Sequence, residues 1–323
     1  MPEGGDEAEI EYAPPIPLAD AERPRRFRRN QLQEEMPEDF QSQLTEETYQ
    51  FLCRRFQKLA VDFNDIAKTN FNPFLLLITA PVYNIFSPYE VAERLQLGKA
   101  YHGDDTAFGK LAEDKFLKIM GARSPPEKLA AKAAKDAVGK DRWSPIDLDI
   151  EVEGQRYLMS IKAGPWTMNQ SHAAEMIRHF QELHDVTGAR LVIGITYGRY
   201  RRLNNKPALV DRELGRPDWF DFLVGKDLWE FVSGVKDVHR HMYQAIRDGQ
   251  KRFAREHADR TFYEHLKANA LSISQSLRAQ FDIENEDDFW GTLFNAAFES
   301  HAGLPGEPVH VPPLADVEGL KAD

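Results

Sequence analysis

The stretch from Ser144 to Glu175, SPIDLDIEVEGQRYLMSIKAGPWTMNQSHAAE, constrains the fold more than any other part of the chain. From Ile146 to Val152 apolar and acidic residues alternate. Ile146, Leu148, Ile150 and Val152 take one side, and Asp147, Asp149 and Glu151 the other. A period of two is that of a strand with one buried face, which would leave the acids wet. Glu153-Gly154-Gln155 supplies a glycine turn. The chain then returns as RYLMSIKA, with Tyr157, Met159 and Ile161 alternating against Leu158, Ser160 and Lys162. Antiparallel pairing through so short a turn brings Asp147, near the start of one strand, close to Lys162 at the end of its partner. Gly164-Pro165 closes the second strand, and a helix is expected to begin near Asn169.

An acid and a lysine on adjacent strand ends, with a third polar residue two before the lysine, suit metal-dependent hydrolysis of a phosphodiester. A carboxylate holds Mg²⁺, the lysine positions or deprotonates the attacking water, and the metal neutralises developing charge. The stretch resembles the PD-(D/E)XK nuclease superfamily, with Pro145-Ile146-Asp147 as the first half of the motif and Ser160-Ile161-Lys162 as the second. More specifically it resembles type II restriction endonucleases of the PmeII-like, RGGNCCY-cutting subfamily. That resemblance extends, in order, over HGDDTAFGKLAEDKFLKIMGA at 102–122, SIKAGPWT at 160–167, VIGITYG at 192–198 and GKDLWEF at 225–231.

The resemblance implies Mg²⁺-dependent, sequence-specific cleavage of double-stranded DNA, leaving 5′-phosphate and 3′-hydroxyl ends. It also implies a homodimer, a prokaryotic cytoplasmic setting and a cognate DNA methyltransferase as genetic partner. Asp147 would hold metal and Lys162 would orient water. The chain departs from the motif at Ser160, where the superfamily usually has Asp or Glu. A serine binds Mg²⁺ poorly beside a carboxylate, so the resemblance gives Ser160 a supporting role and looks elsewhere for the missing acid. Some restriction enzymes of this kind take it from the following helix, which here indicates Glu175. The helix before the hairpin offers Glu113, with Asp114 as the alternative. Two rival functions stay open: a repair or recombination nuclease on the same core, and a DNA-binding protein whose catalytic site has decayed.

The net charge of −11 looks unsuited to DNA, whose phosphates are met mainly by Lys and Arg. Its distribution answers the objection. Residues 1–22 carry seven acids and no Lys or Arg, and residues 299–323 carry five acids and one lysine. Residues 23–298 are left with 40 basic and 40 acidic side chains, a neutral body able to hold a basic face. Both ends are too polar to build a core. The chain is accordingly expected to divide into a disordered tail over 1–40, acidic then basic, a helical region over 41–100 suited to dimerisation, a nuclease core with C-terminal helices over 101–300, and a disordered acidic tail over 301–323. The basic cluster Arg23, Arg25, Arg26, Arg28 and Arg29 reads as a solvated arm or a phosphate contact. A single cysteine, Cys53, excludes an intramolecular disulfide and fits a reducing compartment. No apolar run approaches membrane length.

Helical periodicity covers Thr45 to Thr69. Ser87-Pro88-Tyr89-Glu90 is a capping box that opens a helix expected to close at Gly98, and Asp104, Asp105 or Thr106 would cap the next, which Gly121 ends. Lys128, Lys132 and Lys135 lie in an Ala/Lys-rich stretch before the hairpin. After the hairpin, a helix from Gln170 with Ala174, Met176, Ile177, Phe180 and Leu183 inward leads to Ala189–Tyr197, an apolar run of central-strand composition. A further strand is expected within 217–224, a helix within 225–232, long helices over 235–277 and a last short one over 286–300. Hairpin, helix and strand make an α/β core, a mixed central sheet flanked by helices, with a helical N-terminal region and long C-terminal helices. Trp166 and Asn169, beside Lys162, are candidate DNA contacts. Arg199, Arg201 and Arg202, in the loop GRYRRLNNK, are the side chains that fork onto phosphate or guanine.

Overall fold

Glu153 and Gly154 both take positive φ, 52° and 77°. That is the backbone of a type I′ turn, whose twist matches that of the strands it joins. It folds β1 (Leu148–Val152) back on β2 (Gln155–Lys162) in antiparallel register, from Val152 opposite Gln155 to Leu148 opposite Met159. β3 (Arg190–Ile195) and β4 (Phe220–Val224) then add in parallel, so the sheet has the order β1-β2-β3-β4 and is mixed, as expected. This computed structural model describes residues 26–62, 73–85, 87–133, 142–257, 262–280, 289 and 291. The acidic ends 1–22 and 301–323, Arg23, Arg25, Lys135 and nearly all of the helix expected over 286–300 lie outside the described residues.

Helices are α1 (Glu38–Asp62), α2 (Pro73–Tyr83), α3 (Pro88–Leu111), α4 (Pro126–Ala133), α5 (Gln170–Thr187), α6 (Lys206–Glu213), α7 (Lys226–Ser233), α8 (Val238–Glu256) and α9 (Phe262–Gln280). The chain forms two compact units, residues 1–49 with 106–251 and residues 50–105 with 252–323. The whole sheet belongs to the first.

β3 and β4 are buried along nearly their whole length, which requires cover on both faces and explains their unbroken apolar composition. On one side Met176, Phe180 and Leu183 of α5 enter a core with Leu158, Ile193, Phe220 and Phe222. On the other, Leu228 of α7 packs where a Cβ at Gly194 would stand 2.9 Å from it and 2.8 Å from Ile161, so a larger residue there would push one of them aside. Asn169 caps α5, and Gly188 ends it with φ 65°. The expected inward residues Met176, Phe180 and Leu183 are buried, but in the first turn Ala173 is buried in place of Ala174.

Three local expectations are corrected. Gly98 does not end a helix: α3 runs through it to Leu111 and continues as a π-helical turn, Ala112–Phe116, and a short helical stretch, Leu117–Ile119, until Gly121 at φ 104°. Glycine permits a left-handed stop without requiring one, and Gly98 keeps a negative φ. Asp104, instead of capping, meets Arg55 at 2.6 Å.

The third correction concerns residues 26–37, assigned on sequence to the disordered tail. Phe27 is buried and stands edge-on to Tyr157 at 5.2 Å. Arg26 donates from Nη1 to Asp211 Oδ1 at 2.8 Å and to the Phe220 carbonyl at 2.6 Å, and its backbone N–H donates to Asp221. Arg29 donates to the carbonyls of Phe231 and Val232. Two of the five arginines of the basic cluster are therefore fasteners. Among the described residues no helix is long and apolar enough to cross a membrane.

Candidate active site

Asp147 lies just before β1 and, like Leu148, faces Met159 of β2. The Asp147 N–H donates to the Met159 carbonyl at 2.8 Å, and its Oδ2 accepts from the Ile161 N–H at 2.7 Å. The aspartate is thus oriented by backbone alone. Lys162 closes β2 with its Nζ 4.0 Å from Asp147 Oδ2. The ammonium donates to Ser160 Oγ and to the Ile161 carbonyl, each at 3.1 Å. Ser160 is fully buried, and its oxygen supports the lysine. The backbone beneath Lys162 is fixed as well. Its carbonyl accepts from the Thr196 N–H at 3.0 Å, the Ala163 carbonyl accepts from Thr196 Oγ1, and Trp229 Nε1 donates to the Thr196 carbonyl at 2.7 Å.

Two carboxyls here hold protons more tightly than usual. Burial pushes the Asp147 carboxyl up, against the opposing pull of Lys162 and the Ile161 N–H. Burial, and then the charges of Asp147 and Asp114, push the Glu113 carboxyl up to about 6. Glu113 is half-buried on the π-helical turn, a distortion often found where a side chain must be aimed at a site. Asp114, its alternative, is exposed and pairs with Lys118 at 3.1 Å, one helical turn on. Glu175 is half-buried on α5 and contributes the smallest of the named influences on Asp147. Lys128 reaches the same neighbourhood from α4, acting on both Glu113 and Asp147 and donating to the Ile146 carbonyl.

Among the described residues no three His, Cys, Asp or Glu side chains converge as a ready-made metal cage. The donors that do gather are carboxylate oxygens, the hard ligands that suit Mg²⁺, and their mutual repulsion is what a dication relieves. The residues present fit such an ion.

Because β2 and β3 run parallel with Lys162 beside Ile195, the loop after β3 leaves from the same sheet edge as the lysine. Arg199, Arg201 and Arg202 are exposed there about the short turn Tyr200–Arg202, which Tyr200 anchors by donating to Asp227 at 2.8 Å. Asn204 of the same loop is buried and donates to the Met168 carbonyl at 2.8 Å, a structural contact. Trp166 is 56% exposed. Asn169 is committed at its Oδ1, which accepts from the His172 N–H at 2.9 Å and completes a capping box.

Sequence reasoning misplaced one group of charges. Asp149, expected on a wet face, is completely buried, and Arg156 donates to it through Nε at 2.9 Å and Nη2 at 2.5 Å. The clue was an arginine just past the turn, on the strand that faces this row of acids.

A family model described as "Type II restriction endonuclease EcoO109I" matches residues 38–254, about two-thirds of the chain and all four strands. No curated protein matches it.

Proposed function

The chain belongs to the type II restriction endonuclease family represented by EcoO109I, and from that premise we propose that it cuts double-stranded DNA through the strand-end site of Asp147, Ser160 and Lys162. The observation that carries this reading is the Lys162 ammonium held by Ser160 Oγ at 3.1 Å and 4.0 Å from the Asp147 carboxylate. A lysine so placed has a restricted set of positions beside a carboxylate.

The substrate water would be oriented by Lys162 for in-line attack on the scissile phosphorus. Asp147, Glu113 and Glu175 would hold Mg²⁺, which when bound offsets charge developing on the phosphoryl oxygens. Ser160 contributes by fixing the lysine, its hydroxyl being buried and already used as an acceptor. Trp166 and Asn169 would border the cut strand, while Arg199, Arg201 and Arg202 would grip phosphate or read guanine. Products would carry 5′-phosphate and 3′-hydroxyl ends, and the finer resemblance is to RGGNCCY-cutting enzymes.

The described residues hold one such hairpin, so cutting both strands of a two-fold symmetric target calls for a homodimer. α2 offers a surface for it, with Leu75, Ile78 and Val82 exposed by 58%, 74% and 79%. A prokaryotic cytoplasm and a companion DNA methyltransferase complete the proposal. Incubating purified protein with plasmid DNA and Mg²⁺ tests it. Discrete fragments support restriction, a smear or structure-dependent nicks indicate a repair or recombination nuclease, and intact DNA indicates a decayed site.

A further inference from the structure

Beside the strand-end site, α4 is clamped to the hairpin by ion pairs. Arg156 of β2 forks onto Glu127 of α4, Nη1 to Oε1 at 2.7 Å and Nη2 to Oε2 at 2.8 Å, while also donating to the buried Asp149 of β1. Arg123 approaches the other Asp149 oxygen at 3.7 Å, and the backbones of Arg123 and Asp149 exchange two hydrogen bonds at 2.8 and 2.7 Å. Bidentate guanidinium contacts restrict both distance and angle, so this group sets how α4 stands against β1. The residue after Glu127 is Lys128, half-buried, whose Nζ donates to the carbonyl of Ile146, immediately before Asp147. That partner is neutral, so the lysine's charge is not consumed by it. The same ammonium acts on both Asp147 and Glu113.

We propose that Lys128 is a second active-site cation, a positioning residue delivered by the Glu127–Arg156–Asp149 clasp, which offsets the repulsion between the carboxylates and the scissile phosphate before metal binds. This rests on the nuclease reading above and adds to it a residue outside the strand-end motif. Its charge has two opposite consequences. Without metal it favours DNA, because a phosphate approaching Asp147 and Glu113 is otherwise repelled. Without DNA it opposes Mg²⁺, because it makes the carboxylate pocket less negative. A residue that merely supported the fold would weaken both.

The test uses full-length protein and a short fluorescent duplex spanning a cut mapped by sequencing plasmid fragment ends. In EDTA, Lys128→Met is expected to bind this duplex more weakly, on the order of fivefold at low salt, with a salt slope smaller by about one. Without DNA, the Mg²⁺ concentration giving half-maximal thermal stabilisation is expected to fall. Glu127→Gln loosens the clasp but leaves the lysine, so it should show both shifts at reduced size, and Lys128→Met should do less in that background. If Lys128→Met fails to fold, Glu127→Gln alone carries the test. Duplex affinity in EDTA equal to wild type, or duplex and Mg²⁺ binding weakened together, overturns the proposal while wild-type cleavage stands. A wild-type protein that cuts no DNA overturns the nuclease reading itself and this inference with it.

Discussion

Lys162 and Asp147 face each other across the open end of the hairpin, Nζ to Oδ2 at 4.0 Å, and neither spends its closest hydrogen bond on the other. The aspartate is oriented by the Ile161 N–H, and the lysine by Ser160 Oγ and the Ile161 carbonyl. A direct contact would saturate the carboxylate. The looser spacing leaves their remaining lone pairs and protons for water, metal or phosphate.

Lys162→Ala is expected to lower single-turnover cleavage by roughly two to four orders of magnitude, the range for a positioned proton-transfer group. Binding of the same duplex in Ca²⁺ should change little, because the lysine is placed to act on water rather than on base edges. Cleavage at the wild-type rate would show that the hairpin is not the catalytic site.

Glu113 and Glu175 can be ranked. Sequence spacing favours Glu175 as the second metal-holding acid, but Asp147 is a leading influence on Glu113, whereas Glu175 is the least of those named on Asp147. Glu113→Gln is therefore expected to raise the Mg²⁺ concentration for half-maximal cleavage more than Glu175→Gln does, and Asp114→Asn to leave it nearly unchanged. Mg²⁺ titrations of the three variants check the order.

The pH dependence follows from the sign of the shift. The Glu113 carboxyl goes from an ordinary 4.5 up to about 6 in the fold, so its protonated form is the one the folded state favours. The stability this lends is full below about pH 4.5 and is lost as pH rises through about 6. Asp147, also raised, acts in the same direction. The melting temperature of the metal-free protein should fall across this window relative to Glu113→Gln. Stabilisation by Mg²⁺ should grow across it as the carboxylates ionise. Parallel wild-type and variant curves would show that Glu113 is not perturbed.

Arg156→Met leaves Asp149 buried with only the more distant Arg123 near it. Stranding a buried charge is expected to cost about 3 kcal/mol. Urea denaturation measures this, and Asp149→Asn combined with Arg156→Met should recover part of it. A loss below ~1 kcal/mol would mean that water reaches Asp149 and screens it.

Ile78→Glu with Val82→Glu puts two charges on the exposed face of α2. If that face joins two copies, sedimentation should show a monomer with an unchanged melting temperature at dilute concentration. Such a monomer should nick plasmid DNA more than it linearises it. A dimer that survives both substitutions would place the contact elsewhere.

The hairpin was legible in the amino-acid sequence because its determinants are local. A period of two sets the strands, a glycine with positive φ sets the turn, and the turn sets the register that carries Asp147 toward Lys162. The cap at Asn169, the stop at Gly188 and the apolar run of β3 are local in the same way. Tertiary structure decided what periodicity does not encode. Asp147 and Asp149 fall on one side of the sequence alternation, yet Arg156 buries the second as an ion pair, and the first, just outside β1, stays partly open beside Lys162. Arg26 and Arg29 belong to a run of like charge that reads as solvated, but carbonyls and carboxylates some two hundred residues away hold them against the sheet. Glu113 and Asp114 are neighbours in one acidic pair, yet on the π-helical turn the first is half-buried and feels the Asp147 charge while the second is exposed and pairs with Lys118. In each case the outcome depends on which distant group removes water from a charge, and that is settled only when the chain has closed on itself.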